Sequence, residues 1–176
     1  MSQRRILFLM PLSLFIAIVL VLWVGLAKNP RQLDSVLIGK PLPALRHSMT
    51  AFPSGQVSSY SFPDRPFLLN VFATWCAACQ AEQALLLSLK RQGVLIIGLA
   101  YKEDPQRVTQ WLHDHGNPYQ WIIADLHGEL AIDLGVVGTP EMFLVDGRGI
   151  VRDKWVGVLS IAKWQHQILP ELNRWQ

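Results

Sequence analysis

The only two cysteines of this 176-residue chain stand three positions apart in "NVFATWCAACQAEQALLLSLK" (70–90), where an apolar run gives way to a helix-forming one. A Cys-x-x-Cys pair can be a redox couple, half of a metal site, a haem attachment point, or two small buried residues. A structural zinc site generally draws on four protein ligands, and Cys76 and Cys79 have no second cysteine pair to complete one. The five histidines (His47, His113, His115, His127 and His166) lack the spacing of a matching half-site. His113 and His115 are two apart on a predicted helix and point to different faces. Covalent haem attachment requires a histidine directly after the second cysteine, and residue 80 is Gln. A redox pair and plain core packing remain, and a lone pair at a strand-to-helix junction favours the first.

The chemistry follows from that junction. Cys76 falls at a helix N-terminus, where unpaired backbone N–H groups and the helix dipole favour a thiolate over a thiol, making it the better nucleophile. Cys79, one turn further and tilted toward the body of the protein, can attack a mixed disulfide on Cys76 and release the partner. Glu82, three residues after Cys79 on the same helical face, is either a proton relay for that thiol or an ordinary solvated first-turn carboxylate. Trp75 either shapes a substrate-facing surface or packs, as most of the seven tryptophans must. In "GVVGTPEMFLVDGRG", Pro140 stands where a strand should start, and the residues alone establish only a turn there.

The elements that position these groups can be read from pattern. "FLLNVFAT" (67–74) is a buried strand, residues 76–91 a helix ended by Gly93, and "VLIIGLAY" (94–101) a second buried strand. Asp104 as N-cap, Pro105 at the first helical position and Gly116 as terminator frame another helix, with Val108, Trp111 and Leu112 as its inner stripe. "YQWIIAD" is a strand and "GELAIDLG" a short helix. "EMFLVDGRGIVRDKWVG" is a hairpin turning on Asp146-Gly147, and "SIAKWQHQILPELNRW" a final helix interrupted near Pro170. Short strands are expected in the turn-rich "SMTAFPSGQVSSYSFPDRP". The whole predicts an α/β fold, a central mixed sheet with helices on both faces.

Ahead of this lies "MSQRRILFLMPLSLFIAIVLVLWVGLAKNPR", without a charge between Arg5 and Lys28. About 21 largely apolar residues at ~1.5 Å each span roughly 31 Å, the thickness of a bilayer's hydrocarbon core. A cleaved signal peptide would carry a shorter apolar stretch, so residues 6–27 are expected to be one uncleaved transmembrane helix. Residues 1–5 are then cytoplasmic, 28–38 a linker and 39–176 the folded domain, which Arg4 and Arg5 direct outward. Of the 16 lysines and arginines, Arg4, Arg5, Lys28 and Arg31 precede the first acidic residue, Asp34, leaving 12 against 13 acidic residues. The folded part is nearly neutral, which argues against nucleic-acid binding.

Taken together, "FLLNVFATWCAACQAE", "YKED", "GNPY", "DLGVVGTPEMFLVDGRGIVR" and the N-terminal segment resemble the thioredoxin-like thiol:disulfide interchange proteins of bacterial cytochrome c maturation, the CcmG/DsbE type. The likeness runs from about Gly39 to the C-terminus. It implies a thioredoxin-like fold on a single-pass inner-membrane anchor, with the catalytic domain in the periplasm and no cofactor beyond a Cys76–Cys79 disulfide. The implied activity is protein-disulfide reduction on apocytochrome c or a thiol protein that serves it, recharged by a transmembrane thiol reductant, with the chain a monomer. By the same resemblance Cys76 attacks, Cys79 resolves and Glu82 is an acidic active-site residue. Pro140 is the cis proline facing the pair, and Trp75, Thr139, Pro140 and Glu141 meet the substrate. Thioredoxin's buried aspartate is replaced by Asn70, which shifts attention to Glu82, and the intervening dipeptide is Ala77-Ala78. A peroxidase would want threonine where Ala73 stands. The rival readings are a tethered reductase with another envelope client and a non-catalytic docking module.

Overall fold

The computed structural model describes residues 3–27, 37–44, 50–52, 55–56 and 62–176. The chain divides into two units, Met1–Leu33 and Asp34–Gln176. The first holds helix α1 (Gln3–Ala27), whose described side chains, those of residues 10–23, are exposed on every side. Among the described residues no helix is long and apolar enough to cross a membrane. The expected linker lies largely outside the described residues, as does His47.

The second unit is built on one mixed sheet. Its strands are β1 (Thr50–Phe52), β2 (Gly55–Gln56), β3 (Phe67–Phe72), β4 (Ile96–Tyr101), β5 (Ile122–Asp125), β6 (Glu141–Val145) and β7 (Val151–Val156), in the order β2-β1-β5-β4-β3-β6-β7. The centre, β5-β4-β3, is parallel, and β6, β7, β1 and β2 are added antiparallel. Strand β3 is buried along its whole length, which is why it reads as a continuous apolar run and not as an alternation. Leu68 and Phe72 face one core, with Leu86 and Leu89 of helix α2 (Ala77–Arg91) and Val108 and Leu112 of α3 (Pro105–His115). Phe67, Leu69 and Val71 face a second core, with Leu130 and Ala131 of α4 (Glu129–Asp133). Helices thus cover both faces, as expected from the sequence.

The caps behave as their chemistry dictates. Asp104 accepts from the Gln106 and Arg107 N–H groups with Pro105 following, and Gly116 ends α3 at φ 86°. One detail differs from the sequence reading. The β6–β7 connection closes on Gly149 (φ 76°), with the Asp146 carboxylate accepting from Arg148 N and Ile150 N, because a side-chain turn holds the reversal in place of a tight Asp-Gly pair. The final helix is interrupted near Pro170, as the sequence predicts, and runs in three pieces: α5 (Ile161–Lys163), a π-helical turn (Trp164–Ile168) and α6 (Leu169–Arg174). Pro170 has no N–H to offer the carbonyl four residues back, and the ladder widens in the turn before it.

Candidate active site

The site forms where β3 runs into α2. Cys76 caps α2 in an extended conformation (φ −88°, ψ 107°), and its sulfur accepts the Cys79 N–H at 3.2 Å. Both cysteines are free and nearly buried, and on the other side the Cys76 thiol donates to Thr139 O at 3.6 Å. Thr139 precedes Pro140 across a cis peptide bond. Trp75, beside the buried Cys76, is 59% exposed and stands out from the surface. Burial pushes the Cys79 thiol well up, helped by its hydrogen bond to Cys76 and by the charges of Cys76 and Glu82. Cys79 is therefore a held proton donor, inert until something takes its proton.

Glu82 lies near enough for its charge to bear on that thiol. It is 1% exposed, not a solvated carboxylate, because it falls on the buried stripe of α2 with Cys79, Gln83, Leu86 and Leu89. Asn70 Nδ2 of β3 donates to its Oε1 at 3.0 Å and Leu159 N to its Oε2 at 2.7 Å. Burial raises its pKa above the usual 4.5, partly offset by Leu159 N, Asn70 and the charge of Lys163. The folded protein then binds this proton more tightly than the unfolded chain does. The resulting stabilisation is complete below the ordinary carboxylate value and is lost as pH rises through the raised folded value. Urea unfolding at a series of pH values should therefore show wild type losing stability relative to Glu82→Gln across that window, with a level difference above it.

Further residues to which the sequence pattern gives no role support the site. Glu103, buried after β4, accepts from Thr74 N at 2.7 Å and from the Thr74 hydroxyl, while Gln80 Nε2 donates to Thr74 O at 2.8 Å. The residue leading into Trp75 and Cys76 is thereby fixed at its N–H, its hydroxyl and its carbonyl. Tyr119, fully enclosed, donates its hydroxyl to Asn70 Oδ1 at 2.8 Å and stacks on Phe72. Gly98 of β4 makes room for that stack, since a Cβ there would lie 2.9 Å from Phe72 and 3.0 Å from Tyr119.

Glu141, expected beside the substrate, is buried under the loop. Its Oε1 accepts from Val137 N at 2.9 Å and Gly138 N at 3.2 Å. Its Oε2 lies 3.0 Å from Lys154 Nζ, close enough to pair the charges though not aligned as a hydrogen bond. Lys154 Nζ in turn donates to Gly135 O at 2.7 Å. The two sit diagonally across β6 and β7, where Glu141 opposes Val156 and Phe143 opposes Lys154. Beside Cys76 stand the exposed Trp75 and the carbonyl of Thr139. Among the described residues no three His, Cys, Asp or Glu side chains converge as metal ligands do.

Residues 37–164 match the Redoxin family. The chain is 41% identical to the thiol:disulfide interchange protein DsbE of Yersinia pestis, covering 99% of this chain and 96% of that protein. The chain belongs to the DsbE-type thiol:disulfide interchange proteins. The DsbE protein of Escherichia coli is 42% identical, over 96% of this chain and 94% of its own length. That of Vibrio cholerae is 43% identical, over 96% and 94%. Among solved structures, the fold is shared with a thio-disulfide isomerase from Thermus thermophilus (TM-score 0.63, 22% identity, 78% of this chain and 95% of that one). A DsbF homologue from Corynebacterium diphtheriae shares it too (TM-score 0.60, 19% identity, 77% and 85%). The domain has the thioredoxin-like fold, and as a DsbE-type protein the chain is a thiol:disulfide oxidoreductase that exchanges with thiol partners through a cysteine pair.

Proposed function

We propose that the chain is a membrane-tethered periplasmic reductant that reduces a disulfide in apocytochrome c, or in a thiol protein serving it, during cytochrome c maturation. The observation that carries the reading is the asymmetry of the cysteines: Cys76 caps α2 beside Thr139 O, and Cys79 is a proton-holding thiol above a buried carboxylate. Cys76 as thiolate attacks one sulfur of the client disulfide. A Cys76–client bond forms, and the client's other sulfur leaves as thiolate. Cys79 gives its proton to Glu82 and attacks Cys76 Sγ. The Cys76–Cys79 disulfide forms as the Cys76–client bond breaks, and the client departs with both sulfurs reduced, as thiolates that take protons from solvent, by the two electrons that the pair has lost. A transmembrane thiol donor then restores the pair.

Trp75 and the Thr139 backbone are assigned to contact with an extended client segment, beside Pro140. Glu141 is assigned to support of that loop from beneath, since its side chain is fully enclosed. For tethering, the support is residues 6–27, uncharged, within a helix of 25 residues. The test is capture in intact cells with Cys79→Ala, followed by mass spectrometry of proteins disulfide-bonded to Cys76. Apocytochrome c or its thiol chaperone among the adducts supports the reading. Adducts confined to other envelope proteins would assign the same chemistry to another client.

A further inference from the structure

Proton transfer from Cys79 to Glu82 needs somewhere for the proton to be held, and neither neighbour of Glu82 offers an acceptor as arranged. Leu159 N and Asn70 Nδ2 both donate. Leu159 N belongs to the backbone and cannot reverse. Asn70 can, because its amide has a donor at one end and an acceptor at the other. What fixes its present orientation is the hydroxyl of Tyr119, which donates to Asn70 Oδ1 and turns Nδ2 toward Glu82 Oε1. All three side chains are almost wholly enclosed, so a mispaired polar end among them has no water to turn to.

We propose that Asn70 and Tyr119 are positioning residues that set how tightly Glu82 holds the proton of the resolving thiol, by controlling which end of the Asn70 amide faces Glu82 Oε1. In the reduced protein, Tyr119 O–H to Asn70 Oδ1 and Asn70 Nδ2–H to Glu82 Oε1 form a chain that favours the carboxylate. When the Cys79 sulfur loses its proton to Oε1 and bonds to Cys76 Sγ, expelling the client thiolate, the new Glu82 O–H faces an N–H. Reversal of the amide gives it Oδ1 as acceptor and turns Nδ2 to the Tyr119 oxygen, at the expense of the tyrosine's own O–H. The tyrosine thus resists protonation of Glu82 and keeps the proton ready to leave. The inference rests on the relay role given to Glu82 above. The charged or titratable groups bearing on Glu82 are Cys79, one turn before it on α2, Lys163 from α5, and Tyr119 itself.

Tyr119→Phe removes only the hydroxyl and leaves the stack on Phe72. With no O–H to satisfy, both amide orientations cost alike, and protonated Glu82 gains. The experiment is stopped-flow reaction with a small aromatic disulfide that releases one coloured thiolate when Cys76 attacks and a second when Cys79 resolves. In wild type the rate of the second phase rises with pH through the titration of Glu82. Tyr119→Phe should move that midpoint upward by about 0.5 to 1 pH unit, the size expected from one hydrogen bond. Asn70→Asp, nearly the same size, should move it further in the same direction, since it places a second acceptor against Oε1. Glu82→Gln should erase the inflection. If Tyr119→Phe and Asn70→Asp keep the wild-type midpoint while Glu82→Gln erases the inflection, Glu82 takes the proton without their control and the proposal is wrong. If the inflection survives in Glu82→Gln, the relay role itself falls and the proposal with it.

Discussion

Cys79→Ala is expected to lower multiple-turnover disulfide reduction by at least about 100-fold while Cys76 still attacks and forms a stable mixed disulfide. Both halves follow from placement. Cys76 accepts a backbone N–H from α2 and lies against Thr139 O, so its surroundings are made mostly by the backbone and survive removal of the second sulfur. Resolution is different, because Cys79 supplies the only other cysteine sulfur in the chain. The client remains attached until an outside thiol displaces it. A coupled insulin-turbidity or fluorescent-disulfide assay checks turnover, and non-reducing electrophoresis checks the adduct. Retained turnover with equimolar adduct would mean that external thiols resolve the intermediate as fast as Cys79 does.

The largest expected effect on stability lies under the Thr139–Pro140 loop. Lys154→Met keeps the aliphatic stem but leaves Glu141 buried without its counter-charge and Gly135 O without its donor. Breaking a buried pair from one side costs about 3 to 5 kcal/mol. The double variant Lys154→Met/Glu141→Gln removes both charges, and should recover a substantial part of that loss, because Gln can still accept from Val137 N and Gly138 N. Urea unfolding followed by tryptophan fluorescence measures all of these proteins. Equal stability of the single and double variants would show that the pair contributes little as a pair.

The uneven legibility of this site in the sequence has a physical cause. Cys76 as helix cap, Asp104 and Pro105 opening α3, and Gly116 ending it are local effects, decided within a turn of the residue concerned, and local pattern exposes them. The central strands were equally plain, since full burial writes a continuous apolar run. Glu82 was half legible. Its spacing from Cys79 was clear, and its place on the stripe with Leu86 and Leu89 could have signalled burial. Glu103 could not be told from its neighbour Asp104, because its partner, Thr74, is 29 residues away. Glu141 and Lys154 are diagonal neighbours only once the β6–β7 register is known, and in sequence Lys154 looks like one more strand-edge charge. In sequence Asn70 stands out only for the carboxylate it lacks, whereas its role in the fold comes from the two partners that hold its amide. No local pattern could show that the carbonyl of Thr139, 63 residues away, meets the Cys76 sulfur.

The most direct trial of the reversible Cys76–Cys79 couple is equilibration of the domain in glutathione or dithiothreitol buffers of graded potential, with acid quench, alkylation and intact-mass readout. The two thiols should disappear together in one reversible two-electron transition, with no singly alkylated species beyond a trace, and Cys76→Ala and Cys79→Ala should show no such transition. Two thiols that stay alkylatable across the whole range, or that oxidise independently of each other, would contradict it.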